Sequence, residues 1–483
     1  MLNLLQACKA SPILDSMKVA ILGAGLLGSL IARELITENR DVVIIERNPN
    51  VARTIANDLD CIVEEGDGER LDTLASAGVA EADWFIACTG SDETNIVSCG
   101  IVAETFKNVR TIARTRNPYF AAFRSTGRRI LGVDHLLNPD AETAEAIARI
   151  IYRGMSPEII DVKEAGIQMR RIDCIKESRF PGRILSEVRA SIGPEFMVPA
   201  VLRHGELMIP SGDFLFEKDD RAYILGEPSA LDRLFGPCRN TIRKFKSMAI
   251  FGAEALTGLL LQELGIEMVS TSSHPKARNR QVLSLLGNPK IKVIDGRKEF
   301  LKPLSTVFPD IEPIERQLSE EHIIEEESIG SADIVLCLTS HQTINILTAQ
   351  LAKQKGAKRA MALVTNDLYA PLLDSMHIDI IINEKTVMAG TILDRVRKAK
   401  IRRLYSFPQN EFELIEIQIS RSFEKLGWKI RDLNLPKGFL ITFVIHEGRT
   451  IVPTGDTEIH ENDLVGLILK KEEIGRLENV FGA

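Results

Sequence analysis

Two constant offsets run through this chain. Ala82-Asp83, Thr89 and Asn95 return as Ala332-Asp333, Thr339 and Asn345, each 250 residues later. Gly205, Pro210, Gly212-Asp213 and Asp220 return as Gly448, Pro453, Gly455-Asp456 and Asp463, each 243 residues later. A repeat held in register through turn residues and charged residues alike marks a tandem duplication, so the chain must fold as two copies of one unit. Each copy joins a larger part to a smaller one. At about 150 residues per domain the length of 483 suggests about three domains; the large–small–large–small repeat makes it four.

The large part opens with the apolar run Lys18-Val-Ala-Ile-Leu22, which enters Gly23-Ala24-Gly25-Leu26-Leu27-Gly28 and then the helix-like Ser29-Leu-Ile-Ala-Arg-Glu-Leu35. Asp41-Val-Val-Ile-Ile-Glu46 follows, and its carboxylate stands 18 residues beyond Gly28. A bare G-x-G-x-x-G says little. Set between strand and helix and followed by a second strand that ends in an acid, it is a dinucleotide-binding fingerprint. Apolar strands near 61–64, 83–88, 111–115 and 133–137 alternate with helical patterns near 69–78, 91–106 and 117–126. That alternation predicts an α/β doubly wound parallel sheet of the Rossmann type, covered on both faces. Asn138-Pro139 opens an amphipathic helix running to about Tyr152. Beyond Met155-Ser-Pro157, residues 159–235 read as short strands and turns, a small α+β module. The expected divisions are an N-terminal extension at 1–16, large domains at 17–155 and 246–400, and small domains at 158–240 and 408–483.

Each residue of the first fingerprint has a mechanical task. Gly23 permits the tight turn, Gly25 lets the backbone approach a pyrophosphate, and Gly28 lets helix and strand pack closely. The amides from Gly23 through Ala24 to Leu26 and Leu27 surround a helix N-terminus, where free N–H groups favour negative charge. Glu46 is placed to accept hydrogen bonds from adenosine ribose hydroxyls, and its charge disfavours a 2′-phosphate. NAD(H) is therefore expected over NADP(H), although Arg47 and Arg53 do not exclude the phosphorylated form. Thr89-Gly90-Ser91 follows the fourth strand, near the switch point where such sheets bind ligands. Arg114 ends the fifth strand and reads either as a phosphate or ribose contact or as a surface ion pair. Asp67, in Gly66-Asp67-Gly68, reads either as a border of the adenine end or as a cap on the next helix. The second copy has decayed: Ile250-Phe-Gly252-Ala-Glu254-Ala-Leu-Thr257 puts Glu254 at the close-approach glycine and Thr257 at the packing glycine. Its second strand is read at Met268-Val-Ser-Thr-Ser-Ser273, where no acid follows, and Leu363 stands where Arg114 does. The second site is expected to be a pseudo-copy.

Other classes of function find little support. Lys plus Arg total 60 against 67 Asp plus Glu, a net charge of -7, which argues against a nucleic-acid binder working through a global basic field. Hydrophobic residues make up 45%, yet no apolar stretch approaches the roughly 20 residues that span a bilayer. Seven dispersed cysteines and eight dispersed histidines show neither a disulfide framework nor metal-ligand spacing, as expected of reduced thiols in a cytoplasm. Leu5-Gln6-Ala7-Cys8 resembles a lipoprotein cleavage site but lacks a basic segment before it, so residues 1–16 read as a ragged extension. No acid–base pair suited to hydride chemistry is evident. His135 reads as a core or edge histidine, while His204 and His446 occupy turn-like loops at non-equivalent places. The basic run Arg395–Arg403 reads as a solvated linker face, or as a surface attracted to an anionic membrane leaflet or to the cytoplasmic loops of a membrane partner. A nucleotide site without chemistry suggests a sensor; an NAD-dependent oxidoreductase and a ligand-free scaffold ring are the alternatives.

The segment from Met17 to Gly28, with Glu46, Gly66-Asp67-Gly68, Ala82-Asp83, Thr89-Gly-Ser-Asp-Glu-Thr-Asn95, Arg110-Thr-Ile-Ala-Arg114 and Asn117-Pro118-Tyr119, resembles the TrkA family of Trk potassium uptake regulators. Pro210-Ser-Gly-Asp213 and Pro453-Thr-Gly-Asp456 resemble that family's C-terminal RCK modules, and the likeness spans 17–483. The resemblance implies a non-enzymatic, peripheral cytoplasmic subunit at the inner face of the membrane. It would assemble as a homo-oligomeric ring, a tetramer, beneath a membrane potassium-translocating subunit of the Trk type. It implies an NAD+/NADH site at Gly23 to Leu27, Glu46, Thr89-Gly90 and Arg114, with ATP and ADP as competitors, and crossover helices starting at Pro139 and Glu384. Leu26 stands where relatives that favour ATP carry an arginine.

Overall fold

The computed structural model describes residues 17–483 except 118–119, 121–129, 153–158, 163–164, 175–178, 194, 205, 236–244, 267, 269–288, 318–321, 366–377, 397–400, 408–411, 437 and 482–483. The extension at 1–16, Pro118-Tyr119, Met155-Ser-Pro157, and 397–400 of the basic run lie outside the described residues. The chain divides into two compact units between Asn138 and Pro139.

In the first unit the strands β1 (Lys18–Leu22), β2 (Asp41–Glu46), β3 (Ile62–Glu65), β4 (Trp84–Ala87), β5 (Arg110–Arg114) and β6 (His135–Leu137) form one sheet in the order β3-β2-β1-β4-β5-β6. Every neighbouring pair is parallel. The central strands β1 and β4 carry continuous apolar runs, and Val19, Ala20, Ile21, Phe85, Ile86 and Ala87 are fully buried, as a sheet covered on both faces requires. Helix α1 (Leu26–Thr37) turns Leu27, Ile31 and Leu35 inward at four-residue spacing. Helix α2 (Pro49–Asp58) starts on Asn48, whose side chain accepts from the amides of Asn50 and Val51, with proline at the first helical position. Helix α3 (Leu71–Ser76) is short. Helix α4 (Asp92–Thr105) starts on Ser91, whose hydroxyl accepts from Thr94 N, and Asp92 and Glu93 complement its positive end. The connections from β1 and from β4 run to opposite sides of the sheet, which leaves a crevice beyond the carboxyl ends of these two strands.

The second unit contains a parallel sheet of the same order, with strands Ser247–Phe251, Lys290–Asp295, Ile311–Glu315, Ile334–Cys337, Arg359–Val364 and Ile380–Asn383. It also contains two antiparallel sheets of five strands each. The first uses Ile159–Val162, Ile167–Asp173, Phe196–Arg203, Glu206–Met208 and Arg221–Gly226; the second uses Ile401–Ser406, Phe412–Gln418, Leu440–His446, Arg449–Ile451 and Leu464–Lys470. These two sheets share one apolar core, in which Met169, Tyr223 and Leu225 meet Phe407, Leu414, Phe443 and Ile468. The rings of Tyr223 and Phe407 meet edge to face at 5.0 Å. The duplicated Rossmann-like fold with α+β modules is thus the one the sequence predicts.

The helix Pro139–Tyr152, which follows the first parallel sheet in the chain, packs within the second unit. Its apolar stripe of Ala144, Ile147, Ala148 and Ile151 lies in one core with Leu256, Leu260 and Leu261 of the helix Ala255–Glu263. Thr391 Oγ1, on the helix Glu384–Val396, donates to Glu142 Oε2 at 3.4 Å, and the Tyr152 hydroxyl donates to the Glu263 carbonyl. Among the described residues no helix is long and apolar enough to cross a membrane. Truncating the fully buried Ile147 to alanine removes methyl groups from a packed interface, so Ile147→Ala should destabilise the second unit by about 2–5 kcal/mol. A lowered urea midpoint of the second unit measures it; an unchanged midpoint would show that this helix contributes no packing energy.

Candidate nucleotide site

The crevice is organised from β2. Glu46, the last residue of that strand, accepts from Ala24 N through Oε2 at 2.9 Å and from Asn48 N through Oε1 at 2.8 Å. Gly23 N donates to the Ile45 carbonyl at 2.9 Å, so the glycine turn is fastened to β2 by backbone and carboxylate together. Two acceptor bonds leave a carboxylate with lone pairs to spare, so Glu46 can still receive ribose hydroxyls. Gly23 has φ of 101°, the left-handed region, and a side chain there would press on Thr89 at 3.2 Å. A Cβ on Gly28 would lie 1.9 Å from the Gly23 carbonyl oxygen, which is the close packing expected of that position. Gly25 is the opposite case: a Cβ built there meets nothing within 4 Å. The chain leaves open the space beside Gly25, in front of the first amides of α1, which the geometry of a helix start leaves without intrahelical partners. Leu26 is 64% exposed beside it.

The other wall is a buried amide network. Asn95, fully buried on α4, accepts from Thr89 N at 2.9 Å and Thr89 Oγ1 at 2.7 Å, and its Nδ2 donates to the Arg114 carbonyl at 2.9 Å. Arg114 Nη1 in turn donates to the Thr89 carbonyl at 2.9 Å, which brings the guanidinium from β5 to the end of β4. Gly90 is exposed, with nothing within 4 Å of where its Cβ would stand. Asp92 accepts from the amides of Arg116 and Asn117 and fixes the chain after β5. Below the turn, Cys88 is buried, and burial pushes its thiol up to about 12; Arg114 lowers it and Glu46 raises it. That sulfur therefore lies within the fields of both charged groups. Gly66 N donates to the Glu46 carbonyl at 3.0 Å, which brings Gly66-Asp67-Gly68 to the same rim. Asp67 itself is exposed and accepts from Glu69 N at 3.0 Å, a local turn rather than a helix cap. Gly23 to Gly28, Glu46, Thr89, Gly90 and Arg114 thus converge on one crevice, with Asp67 at its edge. Asn95 is not among the site residues that the sequence pattern singles out, although it returns as Asn345 at the constant offset.

The second copy keeps this frame and closes it. Gly252 has φ of 104°. The acid is not lost: the second strand is Lys290–Asp295, and Asp295 accepts from Ala253 N at 2.9 Å and Arg297 N at 3.0 Å, as Glu46 does from Ala24 and Asn48. The reading at Met268–Ser273 fails because 18 residues separate Gly28 from Glu46 but 38 separate Thr257 from Asp295, so the strand lies past an insertion. Asn345 likewise bonds Thr339 and the Leu363 carbonyl, so Leu363 does take the place of Arg114. Thr257 fits where Gly28 packs because its hydroxyl donates to the Gly252 carbonyl at 2.6 Å. Glu254 stands at the residue before the helix in place of Gly25, and its side chain makes no bond to the helix amides; instead its Oε1 accepts from Arg297 Nη2 at 2.7 Å and Ser340 Oγ at 3.1 Å. Arg297 also donates to both oxygens of Asp295 at 2.9 Å. Burial works against the Asp295 carboxylate, but the Arg297 guanidinium and the Ala253 amide outweigh it and hold the group below the usual carboxylate range. The second crevice therefore carries an anion of its own, matched by a cation of its own.

His135 lies at the edge of the first sheet, stacked on Trp84 at 5.9 Å, with Arg110 over the same indole at 4.1 Å; it does not face the crevice residues. The model of the TrkA-N domain matches residues 19–139 and 280–384, and that of the TrkA-C domain matches 169–236 and 426–482. The Trk system potassium uptake protein TrkA homolog 1 of Methanosarcina mazei is 28% identical over 479 residues, covering 96% of this chain and all of that one. The Trk system potassium uptake protein TrkA of Vibrio alginolyticus is 24% identical over 475 residues, covering 96% and 98%. Among solved structures, the GsuK RCK domain covers 98% of this chain and 96% of its own at 16% identity, with a TM-score of 0.53. The GsuK channel bound to NAD covers 98% and 80% at 15% identity, with a TM-score of 0.54. Those two likenesses concern the fold. Both halves match both domain models in the order the duplication requires, and the chain belongs to the TrkA family of Trk-system potassium uptake proteins, which are regulatory proteins and not enzymes.

Proposed function

We propose that this chain senses NAD(H) at its first crevice and passes the state of that site to a membrane potassium-translocating subunit of the Trk type. The observation that carries the reading is the contrast between the two crevices. The first leaves open space beside Gly25 at the start of a helix, while the second holds the Glu254 carboxylate at the same place. One geometry built to receive an anion and one with an anion built in argue for a single nucleotide per chain. The pyrophosphate would lie against the amides of Gly25 to Gly28, favoured by the helix dipole. Glu46 would accept from the adenosine ribose, Arg114 and Thr89-Gly90 would border the nicotinamide half, and Asp67 would border the adenine end. The negative charge of Glu46 sets NADH ahead of NADPH. Leu26 supplies no cation for a γ-phosphate, which sets ATP behind NAD(H), while ADP, which has no γ-phosphate, remains a competitor on this ground.

Such a site regulates only if the nucleotide binds one conformation of the assembly better than another. The reading therefore includes a homo-oligomeric ring, a tetramer in this proposal, at the inner face of the cell membrane and held there through its partner. In that assembly the pairing of the small modules through their shared core, and of the helix Pro139–Tyr152 with the helices Ala255–Glu263 and Glu384–Val396, would be made within each chain.

Calorimetric titration of the full chain with NADH, NAD+ and ATP tests the sensor. Saturable NADH binding at one per chain is expected, and absence of binding by every nucleotide overturns the reading. Gly25→Glu copies the second crevice into the first without its arginine, because Asn48 occupies the position of Arg297. It should abolish NADH binding while the chain stays folded by circular dichroism. Glu46→Gln retains an acceptor for the turn but removes the charge. A charged hydrogen bond contributes about 1.5–3 kcal/mol, so NADH affinity should fall roughly tenfold to a hundredfold while NADPH affinity falls less. Equal losses for both cofactors would remove Glu46 from the discrimination.

A further inference from the structure

The two small modules build one structural position with two chemistries. In the first, Arg203 ends the strand Phe196–Arg203 and grips Asp220 with Nε to Oδ1 and Nη2 to Oδ2, both at 2.7 Å, while Nη1 reaches Glu217 Oε1 at 2.5 Å. Asp220 is buried, and its Oδ2 also accepts from Glu217 N at 2.8 Å. At the offset of 243 residues Arg203 becomes His446, Glu217 becomes His460 and Asp220 becomes Asp463. The frame is unchanged, because Asp463 Oδ2 accepts from His460 N at 2.7 Å and Asp463 is only 2% exposed. What has changed is the cation. A permanently charged guanidinium has given way to two imidazoles around the same buried carboxylate.

The imidazoles converge on that carboxylate. His446 Nδ1 stands 2.7 Å from Asp463 Oδ1, His460 Nδ1 stands 3.9 Å from Oδ2, and the ring centroids are 4.7 Å apart. One donor atom from each of the three residues falls within 4.8 Å of the others. Side-chain exposures of 37% for His446 and 46% for His460 leave a path from solvent. Glu458 Oε2 lies 3.7 Å from His460 Nε2, at the margin of the cluster.

We propose that His446, His460 and Asp463 bind a divalent transition-metal ion of the Zn2+ class, which supplies to Asp463 the positive charge that Arg203 supplies to Asp220. Two imidazole nitrogens and one carboxylate oxygen suit Zn2+ and its neighbours, whereas Mg2+ and Ca2+ take oxygen ligands. Three protein ligands leave the fourth tetrahedral position to water or to Glu458. The ion would act on the contact between the small modules. His446 ends the strand Leu440–His446, whose Ile445 lies in the core shared by both sheets, and Thr450 on the return strand donates to the Ala165 carbonyl. The site is independent of the nucleotide reading and adds a second class of effector to the chain.

The test uses the full chain, stripped with a chelator and dialysed, then titrated with ZnCl2, MgCl2 and CaCl2, with Co2+ as a spectroscopic probe. We expect one Zn2+ per chain, a Co2+ spectrum of tetrahedral nitrogen–oxygen ligation without thiolate charge transfer, and a raised melting temperature with Zn2+ only. His460→Ala should weaken Zn2+ at least about tenfold. His446→Arg, which restores the guanidinium of the first module, should remove Zn2+ binding and keep the metal-free melting temperature. His460→Gln serves as the second variant should either of these fail to fold. Zn2+ binding unchanged in these variants, a thiolate signature, equal response to Mg2+, or no binding at all would each overturn the proposal.

Discussion

A single carboxylate at the end of the second strand holds each large module in shape. Glu46 and Asp295 each accept one amide from the glycine turn and one from the residue two positions downstream. The turn has to bring a helix start close to a strand end, where several N–H groups lose water without gaining helical partners. A fixed negative charge that takes two of these bonds makes the arrangement stable before any ligand arrives. Charge-assisted bonds are roughly twice as strong as neutral ones, which is why an acid and not an amide suits this position. The same oxygens that secure the turn thus border the crevice, so in the proposed site structure and recognition would rest on one side chain, Glu46.

With the frame fixed, and beside the changes of Gly28 to Thr257 and Arg114 to Leu363, the charge at the mouth of the two crevices is set by three neighbouring positions. Gly25, Asn48 and Gly90 correspond to Glu254, Arg297 and Ser340, and only the second set closes on itself through hydrogen bonds. Glu254 alone would set negative charge against the Asp295 carboxylate beneath it. Arg297 reconciles the two by bonding both, and Ser340 supplies a further donor. The second module therefore keeps the same frame with an anion of its own, bonded by its own arginine and serine.

The fold was legible because its signals are local or periodic. Buried central strands, the glycine turn and the helix caps at Asn48 and Ser91 act within a few residues, and the constant offsets carried the first copy's pattern onto the second. Most of the crevice was legible too, since strand ends in such a sheet meet by topology. The misread acid shows the limit: an offset is a distance along the chain, and the insertion before Lys290 breaks it without disturbing the sheet. Asn95 carries no such signal, because an asparagine within a helix looks ordinary until its amide is seen joining two strand ends. His446 and His460 looked dispersed for the same reason, as the antiparallel pairing of Leu440–His446 with Leu464–Lys470 brings together residues whose spacing matches no ligand motif.

The two halves have diverged in opposite senses. In the large modules the first copy is open and the second is closed by its own ion pair. In the small modules the first copy is closed by Arg203 on Asp220 and Glu217, while the second replaces that cation by imidazoles. A closed site needs no ligand to satisfy its charges and so serves as rigid structure at any effector concentration. An open one is completed only by something from solution, and its stability then depends on that concentration. Duplication permits this division because each copy already has the frame; one can lose its ligand without losing its fold. If both proposals hold, one open site in each half would let the chain report on two different effectors, and the core shared between the small modules would give the second a physical route to the neighbouring module.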